Sequence, residues 1–222
     1  MRNKLTLCII FGVHFLFFAQ DQREIDYILK YAKLAVTEMH LYKIPASITL
    51  SQGMLETGGG QSRLAEKANN HFGIKCKAEW TGEKIYHDDD ALGECFRKYT
   101  TVDESYRDHS KFFAERPYYK NLFTLDLFDY KAWAHGLKKS GYATNPNYAG
   151  ILINKIEKYK LEHFDKLTPD EVEQKLIELF PTYLPKQNEI TAVEISNNNL
   201  KKETISTFEE ELEQKKNLNF QE

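Results

Sequence analysis

No charged residue stands between Lys43 and Glu56, in a chain where Asp, Glu, Lys and Arg make up 28% of the residues. A helix on the surface keeps a polar face, so the stretch Ile44–Gly60, IPASITLSQGMLETGGG, belongs in the interior. Cysteine is scarce as well, with three in 222 residues. There is no basic tract and no aromatic-basic alternation, which excludes the usual footprint of a nucleic-acid binder. No G-x-S-x-G is present, so a serine nucleophile on a strand-to-helix elbow is not indicated. No internal repeat is found, which excludes solenoids and propellers. The acidic turn Asp88-Asp89-Asp90 lacks the ligand spacing of a calcium loop, and neither a metal nor a cofactor is expected. His40, His71, His87, His109, His135 and His163 are scattered along the chain.

The one long apolar run, Leu5–Ala19, follows Arg2 and Lys4. At ~15 residues it is short for a spanning helix and has the form of a secretory leader. Residues 1–19 are therefore read as a signal peptide cleaved after Ala19, with an uncleaved anchor as the alternative. The expectation is an exported protein of the periplasm or cell envelope, with no membrane contact after cleavage. Two cysteines then remain, Cys76 and Cys95. An even number in an exported chain suggests one disulfide, here stapling a lobe too small to hold itself.

What is present is mostly helical. Ile25, Ile28, Leu29, Ala32, Ala35, Val36 and Met39 follow a 3.6-residue period, so a helix runs to about Leu41, with Asp21 as a candidate cap. The buried stretch follows, with Pro45 in its first turn and three glycines at its end. Ser62–Ala68 forms a short helix broken by Asn69-Asn70. Phe72–Lys75 is extended, and Lys84–His87 and Glu94–Tyr99 make a hairpin around an acidic turn. Helices resume at Thr101, at Tyr130 and at Asn145-Pro146. Thr168-Pro169-Asp170-Glu171 is a capping box opening a last short helix. The fold class is mainly α, of α+β type, with one small antiparallel β-lobe. A domain over 21–165, a helical extension over 166–184 and a disordered polar tail over 185–222 complete the organisation.

Glu56 is the first charge on the buried helix and lies in its last turn. Burial favours the neutral carboxyl, and the negative end of the helix dipole disfavours the ionised one. Both raise its pKa, as a general acid requires; a buried pair with a Lys or Arg is the plainer alternative. An acid on a helix facing an acidic turn on a β-lobe is the arrangement that cleaves a glycosidic bond.

Five motifs occur in one order: Met54-Leu55-Glu56-Thr57-Gly58-Gly59-Gly60-Gln61-Ser62, Asn70-His71-Phe72-Gly73-Ile74-Lys75, Trp80-Thr81-Gly82, Phe96-Arg97-Lys98-Tyr99 and Gly141-Tyr142-Ala143-Thr144-Asn145-Pro146-Asn147-Tyr148-Ala149. In this the chain resembles the bacterial N-acetylglucosaminidases of glycoside hydrolase family 73, over about Ile25 to Lys160. The resemblance implies a lysozyme-like fold and hydrolysis of the β-1,4 bond after N-acetylglucosamine in peptidoglycan, by a monomer. It implies Glu56 as general acid, Tyr142 beside the scissile sugar, and Asn70, Phe72, Trp80, Tyr99 and Tyr148 along the substrate cleft. The family's second acid lies on the hairpin in a T-x-E-Y context. Here His87-Asp88-Asp89-Asp90 stands instead, which points to Asp90 first, Asp89 next and Glu94 last. A silent glycan-binding module and a lytic transglycosylase are the other readings of the same residues.

The tail from Pro185 has too few apolar residues in any periodic arrangement to bury a face. Deleting 185–222 is expected to leave the melting temperature nearly unchanged in a thermal scan; a large drop would show that the tail docks.

Overall fold

The computed structural model describes residues 3–89 and 91–183, with the backbone alone for 3–20. The periodic apolar positions from Ile25 to Met39 form the inner face of helix α1 (Asn3–Tyr42). The helix is continuous through Ala19 and Asp21, so Asp21 caps nothing. Its carboxylate instead accepts from Lys158 and from the Tyr159 hydroxyl, 3.0 Å away. Among the described residues no helix is long and apolar enough to cross a membrane.

Helix α2 (Ala46–Thr57) is buried without interruption from Ala46 to Met54. It packs on α1, on the later helices α5 (Tyr130–Lys139) and α6 (Tyr148–Tyr159), and on a 3-10 helix over Leu161–Lys166. Pro45 is its N-cap residue, not its first helical one, and has no side-chain group to offer the free N–H groups. Asp165 supplies that group from across the chain. It accepts the Ser47 N–H at 2.7 Å and the Ser47 hydroxyl at 2.6 Å. Burial nonetheless pushes the Asp165 carboxyl up to about 7. At the other end Gly58 takes the left-handed conformation (φ 58°), and the Gly59 N–H closes on the Met54 carbonyl at 3.0 Å. That conformation is costly for any residue with a Cβ.

Helix α3 (Arg63–Ala68) is capped by Ser62 and ended by Asn69 at φ 50°. The β-lobe follows. Strands β1 (Lys84–His87) and β2 (Glu94–Arg97) pair antiparallel, with Ile85 opposite Phe96 and His87 opposite Glu94. Lys75 bridges Phe96 on the other side of β2, and the Cys76 N–H reaches the Cys95 carbonyl at 2.8 Å. Cys76 and Cys95 form the expected disulfide, with Cα atoms 5.3 Å apart. β2 stops two residues short of the expected Tyr99, because the Tyr99 N–H turns to the Ala68 carbonyl at the end of α3 (2.9 Å). That bond roots the lobe on the helices.

Helix α4 (Val102–Ala114) is capped by Thr101 and buries Tyr106, His109 and Phe113. A 3-10 helix over Pro117–Thr124, not foreseen from the sequence, buries Tyr119 and Leu122. Asp129 caps α5 by accepting the Ala132 N–H at 2.9 Å. Helix α6 begins three residues after the expected Asn145, since the Asn145 side chain accepts the Asn147 N–H (2.9 Å) and holds a turn there. The Thr168 N–H and hydroxyl both meet the Glu171 carboxylate at 2.8 Å, and α7 (Val172–Leu179) follows. One compact unit runs to Lys175 and a second begins at Leu176. Of the second, residues 176–183 are described, with the Phe180 N–H on the Leu176 carbonyl at 2.9 Å. The tail expected from Pro185 lies outside the described residues, as do the side chains of the expected leader.

A polar cluster sits inside the first unit. The Tyr27 hydroxyl meets His71 Nδ1 at 2.9 Å and the Tyr106 hydroxyl at 2.8 Å, tying α1 to the start of the β-lobe and to α4. Gly53 makes room for it, since a Cβ there would lie 2.2 Å from the Tyr27 oxygen. Gly53→Ala should therefore destabilise the protein by ~1–3 kcal/mol, the usual cost of overpacking. Combining it with Tyr27→Phe should cost less than the sum of the two changes. Chemical denaturation checks both, and an alanine variant as stable as the parent would refute the close approach.

Candidate active site

Glu56 leaves the buried helix at its C-terminal end, where the chain is about to turn at Gly58. Its neighbours on α2 are sealed in the core, yet Glu56 itself is open to solvent. It looks into a cavity of about 290 Å³. It is lined by the extended piece Phe72–Lys75 with Lys77, by His109 and Phe112 of α4 with Arg116 just beyond that helix, and by Tyr142 from the turn after α5. The carboxyl is crowded by protein in spite of its open edge. This crowding, and secondarily the charge of Asp89, raise its pKa to about 7. No described residue forms an ion pair with it, so the alternative of a buried salt bridge does not hold among them.

Aromatic rings pack around Tyr142. The Tyr142 ring lies 5.3 Å from Phe113 and 5.6 Å from Tyr148, centroid to centroid. Burial, the neighbouring Tyr148 and the carboxyl of Glu56 all hold the Tyr142 hydroxyl well above its ordinary pKa, so it is a neutral donor. Tyr148 stands behind it, receiving a hydrogen bond from Gln52 Nε2 at 3.0 Å. Gln52 precedes Glu56 by one helical turn. Phe72 stacks on His109 with centroids 3.8 Å apart. His109 is held neutral by burial, with its pKa pushed down to about 3, and neither ring nitrogen has a hydrogen-bond partner among the described residues.

The expected site residues divide by location. Glu56, Tyr142 and Phe72 line one cavity. Asn70 is buried: its amide donates to the carbonyls of Ile74 (3.0 Å) and Arg97 (2.8 Å) and accepts the Ile74 N–H. It shapes the wall from behind. Tyr99 is buried and donates to Asp108. Trp80 lies on the β-lobe outside the cavity, with the Arg97 guanidinium 4.7 Å over its ring and its indole N–H on the Glu83 carbonyl (2.9 Å). Of the hairpin acids, Asp88 closes the turn by accepting the Gly93 N–H at 2.6 Å. Glu94 accepts from Lys75 at 2.9 Å. Asp89 is exposed, 3.8 Å from the Lys75 ammonium, and is the described acid whose charge acts on Glu56. Asp90 lies outside the described residues.

Lys77, Phe112 and Arg116 are not singled out by the sequence, and His109, which shares a face with Val102, Tyr106 and Phe113 in the sequence, is given no part in the site by it. The α4 periodicity puts His109 on the inner face with Tyr106 and Phe113. Nothing in the sequence signals Arg116, whose place depends on the turn between α4 and the following 3-10 helix. Among the described residues no three His, Cys, Asp or Glu side chains are grouped so as to hold a metal ion.

A family model described as mannosyl-glycoprotein endo-beta-N-acetylglucosaminidase matches residues 32–161. The chain is 36% identical over 141 residues to the exo-glucosaminidase LytG of Bacillus subtilis, covering 58% of this chain and 49% of the relative. It is 32% identical over 139 residues to the peptidoglycan hydrolase FlgJ of Vibrio cholerae, covering 58% and 41%. The chain thus matches about half or less of the length of these curated relatives. Among solved structures, the catalytic domain of the Listeria monocytogenes autolysin Auto superposes with a TM-score of 0.56 at 27% identity, covering 64% of this chain and 87% of that one. The glycoside hydrolase domain of Salmonella typhimurium FlgJ does so with a TM-score of 0.54 at 28% identity, covering 62% and 88%.

The raised carboxyl has a thermodynamic signature. With a pKa of about 7 against an ordinary 4.5, the folded state holds a proton that the unfolded state has released. Glu56 therefore costs stability as pH rises from about 4.5 through 7. Glu56→Gln should raise the melting temperature by ~1–4 °C at pH 8 and leave it unchanged near pH 4.5. Thermal scans at the two pH values check this; an equal or opposite effect at pH 8 would show that Glu56 titrates normally.

Proposed function

Because the chain belongs to the glucosaminidase family, glycoside hydrolase family 73, we propose that it is an exported peptidoglycan hydrolase that cuts the β-1,4 bond after N-acetylglucosamine. The observation that carries this reading is Glu56: a carboxyl unpaired among the described residues, with its pKa raised to about 7, at the end of a buried helix and lining one cavity with Tyr142. Export rests on the basic start and apolar run at the N-terminus.

In the proposed reaction the protonated Glu56 gives its proton to the glycosidic oxygen as the bond to the anomeric carbon breaks. Positive charge builds on the sugar, and the acidic turn supplies the compensating carboxylate from the opposite lobe. Asp90 or Asp89 takes this second role, orienting water or stabilising the developing charge. Asp89 has support, since its charge reaches Glu56. The sugar's own acetamido oxygen is a further nucleophile that would lessen the demand on the second acid. The neutral Tyr142 hydroxyl donates to the sugar at the cut.

Glu56→Gln keeps the shape of the side chain and removes its proton. It should lower release of reducing ends from purified peptidoglycan at least ~100-fold, as expected for loss of a general acid. Asp90→Asn or Asp89→Asn should lower it roughly 10–1000-fold and Asp88→Asn little. Wild-type activity should fall as pH rises above about 7, as Glu56 loses its proton. Mass spectrometry of the products completes the test. Reducing N-acetylglucosamine ends support the proposal, anhydro-muramic ends indicate a transglycosylase, and no release indicates a binding module.

A further inference from the structure

Charge is distributed unevenly around this cavity. The chain as a whole has 30 Lys and Arg against 33 Asp and Glu, a net charge of −3. Among the described residues the cavity lining reverses that balance, with Lys75, Lys77 and Arg116 beside the carboxyl of Glu56. Lys75 is engaged by Glu94 at 2.9 Å. Neither Lys77 nor Arg116 makes an ion pair with a described carboxylate.

Arg116 is nonetheless held. Its guanidinium lies 3.7 Å over the Phe112 ring, and Nη1 donates to the Tyr118 hydroxyl at 2.8 Å. Both partners are neutral, so they orient the fork without cancelling its charge. Tyr118 is 53% exposed, so this contact lies at the protein surface. Lys77 lines the same cavity from the chain that leads into the β-lobe. Its backbone follows Cys76, which is fixed by the disulfide and by the Cys95 carbonyl, and the Lys77 carbonyl takes the Trp80 N–H at 2.9 Å. Two cations from different lobes thus flank one cavity. They also leave Glu56 alone, since its pKa is raised, and a cation in close contact would lower it. Oriented cations without counter-charges beside a cavity are suited to a ligand that brings its own anion.

We propose that Arg116 and Lys77 form an anion subsite that binds a carboxylate carried on the sugar next to the scissile bond, so that the cleft selects acidic glycans over neutral ones. The proposal rests on the glycan reading of the cavity and names the substrate class within it. A planar guanidinium suits a carboxylate, which can accept two of its N–H groups at once. Neutral chains of N-acetylglucosamine fit the same groove without that anchor. In peptidoglycan the carboxylate comes either from the lactyl ether of a strand stripped of peptide or from the peptide stem itself.

The test is equilibrium binding to the full chain carrying Glu56→Gln, which removes turnover. Four tetrasaccharide probes are compared: chitotetraose, a stripped muramic-acid glycan, its methyl ester and the same glycan with peptide stems. The expected result is that a carboxylate-bearing probe binds at least ~10-fold more tightly than chitotetraose and, for the stripped glycan, than its ester, with the preference shrinking as salt rises. Whichever acidic probe gains identifies the source of the carboxylate. Adding Arg116→Gln and Lys77→Gln should bring the ratios to within ~2-fold. Equal affinity for acidic and neutral probes, or a preference that survives the double substitution, would overturn the subsite. Hydrolysis by the wild type is measured separately. Failure to cleave with the binding preference intact counts against the glycosidase reading and leaves the subsite standing.

Discussion

A helix buried on every side is the constraint on which the rest depends. Nine consecutive residues of α2, Ala46 to Met54, are sealed from water, so their polar groups depend on partners inside the protein, and Gln52 Oε1 has none among the described residues. Ser51 and Thr57 bond back to backbone carbonyls on their own helix. Gln52 reaches Tyr148 on α6, and Ser47 reaches Asp165. Asp165 also meets the need created by Pro45, whose ring makes a good helix entry but offers no capping oxygen. That carboxylate comes from more than a hundred positions further along the chain. The helix presenting Glu56 is thus held at its N-terminus by the last part of the first unit.

The same rigidity extends to the β-lobe. Two strands of four residues cannot stand alone in water, and here they do not. The Cys76–Cys95 disulfide, the Asn70 amide bonded to both Ile74 and Arg97, and the Tyr99 N–H on α3 fix the lobe to the helices. The Tyr27–His71–Tyr106 cluster lies beneath that junction, with Gly53 of α2 against it. One cluster therefore sets the approach of α1, α2, α4 and the root of the β-lobe together. The width of the cavity between the lobes is a consequence of that packing. Glu56 then sits where burial raises its pKa while one edge stays open to a substrate.

Much of this was legible in residue order. The missing charge between Lys43 and Glu56 marked the buried helix, and the three glycines marked its end, because only residues without a Cβ take successive positive φ angles cheaply. Periodicity marked the inner face of α1. The turn chemistry of 88–93 marked the hairpin, and the pairing of Cys76 with Cys95 followed from an even number of cysteines, one just before the lobe and one on its return strand. These signals are local, or depend on which residue types tolerate burial, and so survive without coordinates.

Tertiary structure decided what those residues do for one another. Asn70 and Tyr99 stand in motifs that suggest a cleft, yet both are buried, with their polar atoms directed at other protein groups. Asp88, Asp89 and Glu94 all belong to one hairpin in the sequence. The fold makes Asp88 a turn closer, gives Glu94 to Lys75, and leaves Asp89 acting on Glu56. Arg116 and Lys77, thirty-nine positions apart and on different lobes, meet at one cavity only because α4 ends where it does and the disulfide fixes the chain before Lys77. The sequence by itself determined which segment is buried and which carboxyl is costly, since hydrophobicity and backbone freedom belong to single residues. The partners of that carboxyl, and the charge of the cavity it faces, are distances between remote parts of the chain, and only packing sets those.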